Sequence, residues 1–224
     1  ALLGVINWNC LFLYPEGAKT AQARVSLELQ LPDGWKAGTA LKAARSEGAV
    51  TQFETVSLDH LVDCPVIAGR HFRSFKLTPD GAAVPHVLDV VAESDTALQL
   101  PDKLIEAYGR VVAEAGAMFS RFPFDEYHFL LTLSDDLGPN GLEHLRCSLN
   151  GVKERAFSDF DDIEPWNAYL LPHEYVHAWC GKWRRPAGMV TDDFQEPERT
   201  SLLWVYEGLT QYLGDVLAAR AGIV

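Results

Sequence analysis

Apolar and polar side chains alternate over the first part of the chain. Between residues 24 and 31, valine and leucine are separated by single polar residues, which is the period of a strand with one buried face. Shorter runs of the same kind follow at 52–58, 71–77 and 87–91, and glycine, proline and aspartate lie between them. Many short strands joined by turns predict a sandwich or an antiparallel sheet over roughly the first 90 residues.

The period changes in the second part of the chain. From 101 to 119, apolar residues recur every three or four positions, which predicts an amphipathic helix. The mostly apolar run 127–133, YHFLLTL, predicts a strand buried on both faces. Further helices are predicted over 173–182 and 200–221. We therefore predict an α+β fold, with a β-rich N-terminal domain at 1–90 and a second domain at 91–224.

Composition excludes several classes of protein. Of the 224 residues, 48% are hydrophobic and 22% charged, which is typical of a folded soluble chain and excludes a disordered one. The net charge of −12 disfavours contact with phosphate backbones, so we expect no nucleic-acid partner. No apolar run approaches the roughly 20 residues that a membrane helix needs, so we also expect no membrane span.

The two ends of the chain suggest a partial protein. Ala1 opens directly into strand-like sequence without an initiator methionine, and Val224 follows a helix-like stretch. We expect the first domain to be truncated at its start and the second at its end. There is no basic-then-apolar leader, and four separated cysteines do not decide the redox environment. The compartment, bacterial cytoplasm or periplasm, stays open, as does the oligomeric state.

The chemistry centres on residues 173–177, which read His-Glu-Tyr-Val-His. Positions i and i+4 share one face of a helix, so His173 and His177 can bind one metal ion. Imidazole nitrogen suits Zn²⁺, and Glu174 beside the open coordination position can take a proton from water there. Pro172 either begins this helix or lies at a kink in an earlier one.

A two-histidine site needs a third protein ligand. A third histidine at the metzincin spacing is absent, because Trp183 stands six residues past His177. Among the downstream carboxylates, only Glu207 lies inside an apolar helical pattern, SLLWVYEGLTQYLGDVL. A carboxylate in so apolar a run calls for a partner, which zinc would supply. The alternative is that Glu207 faces solvent.

These motifs resemble those of a known family. HEYVHAWCGKWRRP at 173–186, followed by LLWVYEGLTQYLGD at 202–215, is similar to the glycyl aminopeptidase family of zinc peptidases, a gluzincin group. The resemblance extends to GLEHLRCS at 141–148, to DCPV at 63–66 and to the opening VINWNCLFLYPEG, so it covers nearly the whole chain. It implies that the second domain is the first part of a thermolysin-like catalytic domain. It also implies one Zn²⁺ bound by His173, His177 and Glu207, with Glu174 as the general base.

The resemblance further implies an aminopeptidase acting on peptides with a free N-terminus and a small first residue, such as glycine or alanine. In related enzymes a glutamate on an edge strand pairs with the substrate's ammonium group. Glu143 matches that position, and Gly141 and His144 lie beside it as candidate substrate-binding residues. Taken without the resemblance, Glu143 is a charged loop residue. His144 either binds substrate, steadies Glu143 or is a surface histidine.

The resemblance also bears on the activity of the chain alone, and two alternative functions stay open. Related aminopeptidases take the tyrosine that stabilises the oxyanion from sequence absent here. We therefore expect the chain alone to hold zinc but to be weakly active or inactive. One alternative function is a zinc endopeptidase of the thermolysin type, in which Glu143 binds no amine. The other is a non-catalytic peptide-binding module, against which the intact Glu174 argues, because binding alone needs no general base.

Overall fold

The computed structural model describes residues 1–224 and contains thirteen strands and four α-helices. The strands are β1 (Leu3–Ile6), β2 (Arg24–Val25), β3 (Glu28–Gln30), β4 (Lys36–Gly38), β5 (Ala43–Glu47), β6 (Val50–Phe53), β7 (Val56–Ser57), β8 (Val66–Gly69), β9 (His71–Lys76), β10 (His86–Ala92), β11 (Tyr127–Leu133), β12 (Asn140–Glu143) and β13 (Cys147–Val152). The helices are α1 (Leu58–Val62), α2 (Asp102–Phe119), α3 (Pro165–Val176) and α4 (Leu203–Ala221). The predicted α+β class is confirmed.

The N-terminal strands form three small antiparallel sheets, with the orders β1-β8-β4, β2-β7 and β3-β6-β5. The alternating segment 24–31, predicted as one strand, is divided into β2 and β3. The division arises because the two halves pair with different partners, Val25 with Val56 and Leu29 with Thr51. The antiparallel character predicted for the first 90 residues is confirmed for the pairs among β1–β10, but β10, which contains the predicted strand 87–91, also pairs in parallel with β11.

A five-stranded mixed sheet follows, with the order β12-β13-β11-β10-β9. The three central strands are parallel, whereas β12 and β9 are antiparallel edge strands. β11 is buried on both faces, as predicted: Phe129 and Leu131 join the core on the helical side, and Leu130 joins the core under the N-terminal sheets. The domain boundary expected between residues 90 and 91 falls inside β10, so the sheet is continuous across it.

α2, α3 and α4 form one hydrophobic core with a face of this sheet. The helix predicted over 101–119 is confirmed as α2, and its buried stripe includes Leu104, Tyr108 and Val111. It ends at Phe119, and the next residue, Ser120, has a left-handed φ of 60°. None of the helices combines the length and the apolar character that crossing a bilayer would require.

α3 differs from its predicted extent. It begins at Pro165, where proline suits the first turn, and it runs through Pro172, so the earlier of the two predicted starts is the observed one. The helix ends at Val176, and its predicted continuation to residue 182 is wrong. The chain turns back at Gly181, whose φ of +147° is open mainly to glycine.

Candidate metal centre

α3 places the two motif histidines together. His177 is the residue after the last turn of α3, but its backbone angles remain helical, with φ −59° and ψ −22°. The i, i+4 relationship therefore survives the end of the helix. The Nε2 atoms of His173 and His177 are 3.2 Å apart, and the two rings meet edge to face.

α4 brings the third predicted ligand to the same point. One carboxylate oxygen of Glu207 lies 3.5 Å from Nε2 of His173 and 3.4 Å from Nε2 of His177. The side chain of Glu207 is 49% exposed, yet it does not simply face solvent, because this oxygen contacts both imidazoles. Close packing of α3 on α4 makes the approach possible. A Cβ at Gly214 would lie only 2.9 Å from Cα of His173.

The hydrogen bonds of the histidines suit metal binding. Nδ1 of His177 lies 3.1 Å from the carbonyl oxygen of Cys180 and 3.3 Å from Oγ1 of Thr210. A proton on Nδ1 donates to that carbonyl and leaves the lone pair of Nε2 free for a metal. Burial, and then the charge of His177, lower the pKa of His173, which favours the neutral imidazole that a metal requires.

Glu174 lies beside this group and is almost fully buried. Its Oε1 atom is pressed against the backbone of β12, because a Cβ at Gly141 would lie 2.1 Å from it. Burial, followed by the negative charges of Glu143 and Glu207, raises the pKa of Glu174 to about 8. A carboxyl group with such a pKa can both accept and release a proton near neutral pH.

Glu143 ends the edge strand β12 and faces the same space. Its carboxylate, that of Glu174 and a ring nitrogen of His177 lie within 4.8 Å of one another. The hydroxyl of Tyr206, on α4, donates a short hydrogen bond to Glu143, and its ring lies against His177 with centroids 4.7 Å apart. Burial by itself would raise the pKa of Glu143, but the charge of His177 and this hydrogen bond lower it below its usual value.

The other two candidate substrate-binding residues have different surroundings. Gly141 leaves room for the carboxylate of Glu174, because a Cβ at residue 141 would overlap with that carboxylate. His144 is buried, so the surface alternative for it is wrong. Its Nδ1 lies 3.2 Å from a carboxylate oxygen of Asp63, and the next backbone N–H, that of Leu145, donates to the other oxygen at 2.8 Å.

Sequence reasoning missed two members of this environment. Tyr206 precedes Glu207 directly, and only its place in the family-like segment 202–215 could have drawn attention to it. Asp63 lies in the DCPV segment, 80 residues before Glu143, and no local pattern indicates that the two regions meet. The structure brings all seven predicted site residues into one region, at the β12 edge of the sheet and between α3 and α4.

The mixed sheet, the helix bearing the HExxH sequence and the carboxylate of Glu207 on the next helix lie in a chain that two family models match. It belongs to the M61 peptidase family: residues 2–70 match the Peptidase M61 N-terminal domain, and residues 166–224 match the M61 glycyl aminopeptidase. A search of curated proteins found no match.

The fold is also that of a solved structure. A crystal structure of an aminopeptidase N family protein from Idiomarina loihiensis superposes with a TM-score of 0.78 at 22% sequence identity. The similarity covers 100% of this chain and 38% of the other, so the present chain spans well under half the length of that neighbour.

Proposed function

We propose that the protein is a zinc-dependent aminopeptidase that releases a small first residue, such as glycine or alanine, from peptides. The observation that carries this proposal is the convergence of Nε2 of His173, Nε2 of His177 and one oxygen of Glu207, with separations of 3.2–3.5 Å. Membership of the M61 family supports peptide hydrolysis, and the family description supports a small first residue.

The donor set fits zinc. Ligand atoms about 2.0–2.1 Å from a tetrahedral zinc ion lie about 3.3 Å from one another, close to the separations of these three atoms. Two neutral imidazoles and one carboxylate leave a fourth position open, as catalytic zinc sites do. When bound, zinc would act as a Lewis acid on the scissile carbonyl group and on water.

Glu174 is the proposed general base. Its carboxylate would accept the proton of the attacking water and then deliver it to the nitrogen of the leaving amine. Burial keeps this carboxyl group away from bulk solvent, and Gly141 fixes its position against β12. The burial and the neighbouring carboxylates that raise its pKa to about 8 favour its protonated form, which is the form that delivers a proton to the leaving amine.

Glu143 is the proposed recognition group for the free N-terminus. Its lowered pKa keeps it ionised, and its carboxylate is close to Glu174 and His177 without joining the three proposed ligands. A substrate ammonium group would form a charge-assisted hydrogen bond with it. A blocked or internal peptide has no such group and would leave a buried carboxylate unpaired, which makes its binding unfavourable.

A pair of metal-binding ligands tests this function without requiring turnover. Zinc-loaded chain is titrated calorimetrically with glycine hydroxamate and with N-acetylglycine hydroxamate. Both can chelate zinc, but only the first carries an ammonium group. We expect wild type to bind the free amine at least about tenfold more tightly, because a charge-assisted pair is formed. Glu143→Gln should bind the two ligands about equally, whereas Glu164→Gln, an equal charge change at the exposed start of α3, should retain the preference.

Two results would contradict the proposal in different ways. Equal binding of both ligands by wild type would contradict the proposed aminopeptidase function and favour the endopeptidase alternative. Failure of both ligands to bind in the presence of zinc would contradict the proposed zinc site.

A further inference from the structure

Asp63 connects the N-terminal part of the chain with the proposed active site. It caps the C-terminus of α1, where its backbone N–H donates to the carbonyl of Asp59 at 3.0 Å. The neighbouring backbone is also anchored, because the indole N–H of Trp8 donates to the carbonyl of Cys64 at 2.8 Å. Asp63 and Glu143 line the same cavity of about 390 Å³.

The carboxylate of Asp63 binds the turn that directly follows Glu143. One oxygen accepts the backbone N–H of Leu145 at 2.8 Å, and the other lies 3.2 Å from Nδ1 of His144. The carbonyl of Cys147 closes the same turn by accepting the N–H of His144 at 3.1 Å. These contacts fix the end of β12, where Glu143 is the last residue.

The same carboxylate also binds the segment after α3. Nζ of Lys182 lies 2.6 Å from Asp63, and the backbone N–H of Lys182 donates to the carbonyl of His177 at 2.9 Å. Burial alone would raise the pKa of Asp63, but the hydrogen bond from His144 and the charge of Lys182 lower it to about 2. Asp63 is therefore an anion that contacts both the turn following Glu143 and the segment following His177, a proposed zinc ligand.

We propose that Asp63 is a positioning residue for Glu143: by holding residues 144–145 and Lys182, it sets the place at which the substrate's ammonium group is bound. The inference rests on the proposed function, because it gives that recognition group its support. Tyr206 holds the carboxylate end of Glu143 directly, whereas Asp63 holds the backbone of Leu145, two residues after it. The two constraints come from segments that are far apart in the sequence.

Asp63→Asn tests the inference, since the amide keeps the shape of the side chain but removes its charge and one acceptor. We expect the preference for glycine hydroxamate over its N-acetylated form to fall by about tenfold, because Glu143 is misplaced. Zinc affinity and binding of the acetylated ligand should change by less than about threefold, because the metal ligands keep their own contacts. Asp59→Asn removes an equal charge from α1 beside the same cavity and should leave the preference unchanged.

A second readout does not depend on zinc. In the metal-free chain, the amide proton of Leu145 should exchange with solvent at least about tenfold faster in Asp63→Asn, because its acceptor is weakened. If Asp63→Asn does not fold, His144→Leu removes one donor to Asp63 and should lower the amine preference in the same direction. A preference that survives in the folded variant, or unchanged exchange at Leu145, would overturn the inference alone. Equal binding of both hydroxamates by wild type would overturn the proposed function and this inference together.

Discussion

At the scale of single residues, the candidate site depends on glycines as well as on charged side chains. Gly141 leaves space for the carboxylate of Glu174, Gly181 for the ring of Tyr206, and Gly214 for the backbone of His173. In each case a Cβ would lie closer than 3.0 Å to the neighbouring atom. Because glycine has no side chain, these three positions allow the close approach of Glu174, Tyr206 and His173.

Replacement of Gly141 by alanine tests this dependence. Its Cβ would lie 2.1 Å from Oε1 of Glu174 and 2.8 Å from Cδ1 of Leu170, so these side chains, or the elements that carry them, must shift. We expect the free energy of unfolding to fall by about 2 kcal/mol, the usual cost of overpacking. Urea denaturation measures the change. Gly138→Ala is the control, because nothing lies within 4 Å of its added Cβ and its φ is not left-handed; equal effects of the two substitutions would contradict the account.

At the scale of the elements, periodic segments could be predicted from the sequence and irregular ends could not. α2 and β11 were predictable because their apolar residues repeat with the period of a helix or fill both faces of a strand. The HExxH spacing likewise predicts that His173 and His177 meet. Glu207 could be selected because it is a charged residue within an apolar helical pattern.

The remaining parts of the site depend on contacts between distant segments. α3 ends at Val176 and the chain turns back at Gly181, where the ring of Tyr206 packs against the turn from the next helix. The hydrogen bond from Tyr206 to Glu143 joins residues 63 positions apart, and that from Leu145 to Asp63 joins residues 82 positions apart. No local periodicity carries such information, so these partners became visible only in the folded chain.

At the scale of the whole molecule, the five-stranded sheet separates two hydrophobic cores, one under the helices and one under the N-terminal sheets. His86 is buried on the helical side, at the start of β10. Its Nδ1 lies 2.9 Å from the carbonyl of Val84, and its Nε2 lies 2.7 Å from the hydroxyl of Tyr175. These partners suit a neutral ring that donates to the carbonyl and accepts from the tyrosine.

Burial lowers the pKa of His86 to about 4, against an ordinary value of 6.5. The unfolded chain therefore takes up this proton at a higher pH than the folded one. The stability contribution of His86 is fully present above pH 6.5 and is lost as the pH falls towards 4, by about 3 kcal/mol in total. In His86→Gln, the dependence of the unfolding free energy on pH over this interval should become shallower. An unchanged slope in urea titrations from pH 7 to 4 would contradict this prediction.

The central claim is that His173, His177 and Glu207 bind one zinc ion, with Glu174 beside it as a base and not as a ligand. Zinc content after dialysis and zinc affinity by competition with a chelator test it most directly. We expect one zinc per chain in wild type and in Glu174→Gln. In Glu207→Gln the affinity should fall by at least about a hundredfold, since loss of an outer-shell partner alone costs about ten- to a hundredfold. Zinc bound equally well by wild type and Glu207→Gln, or lost in Glu174→Gln, would contradict the account.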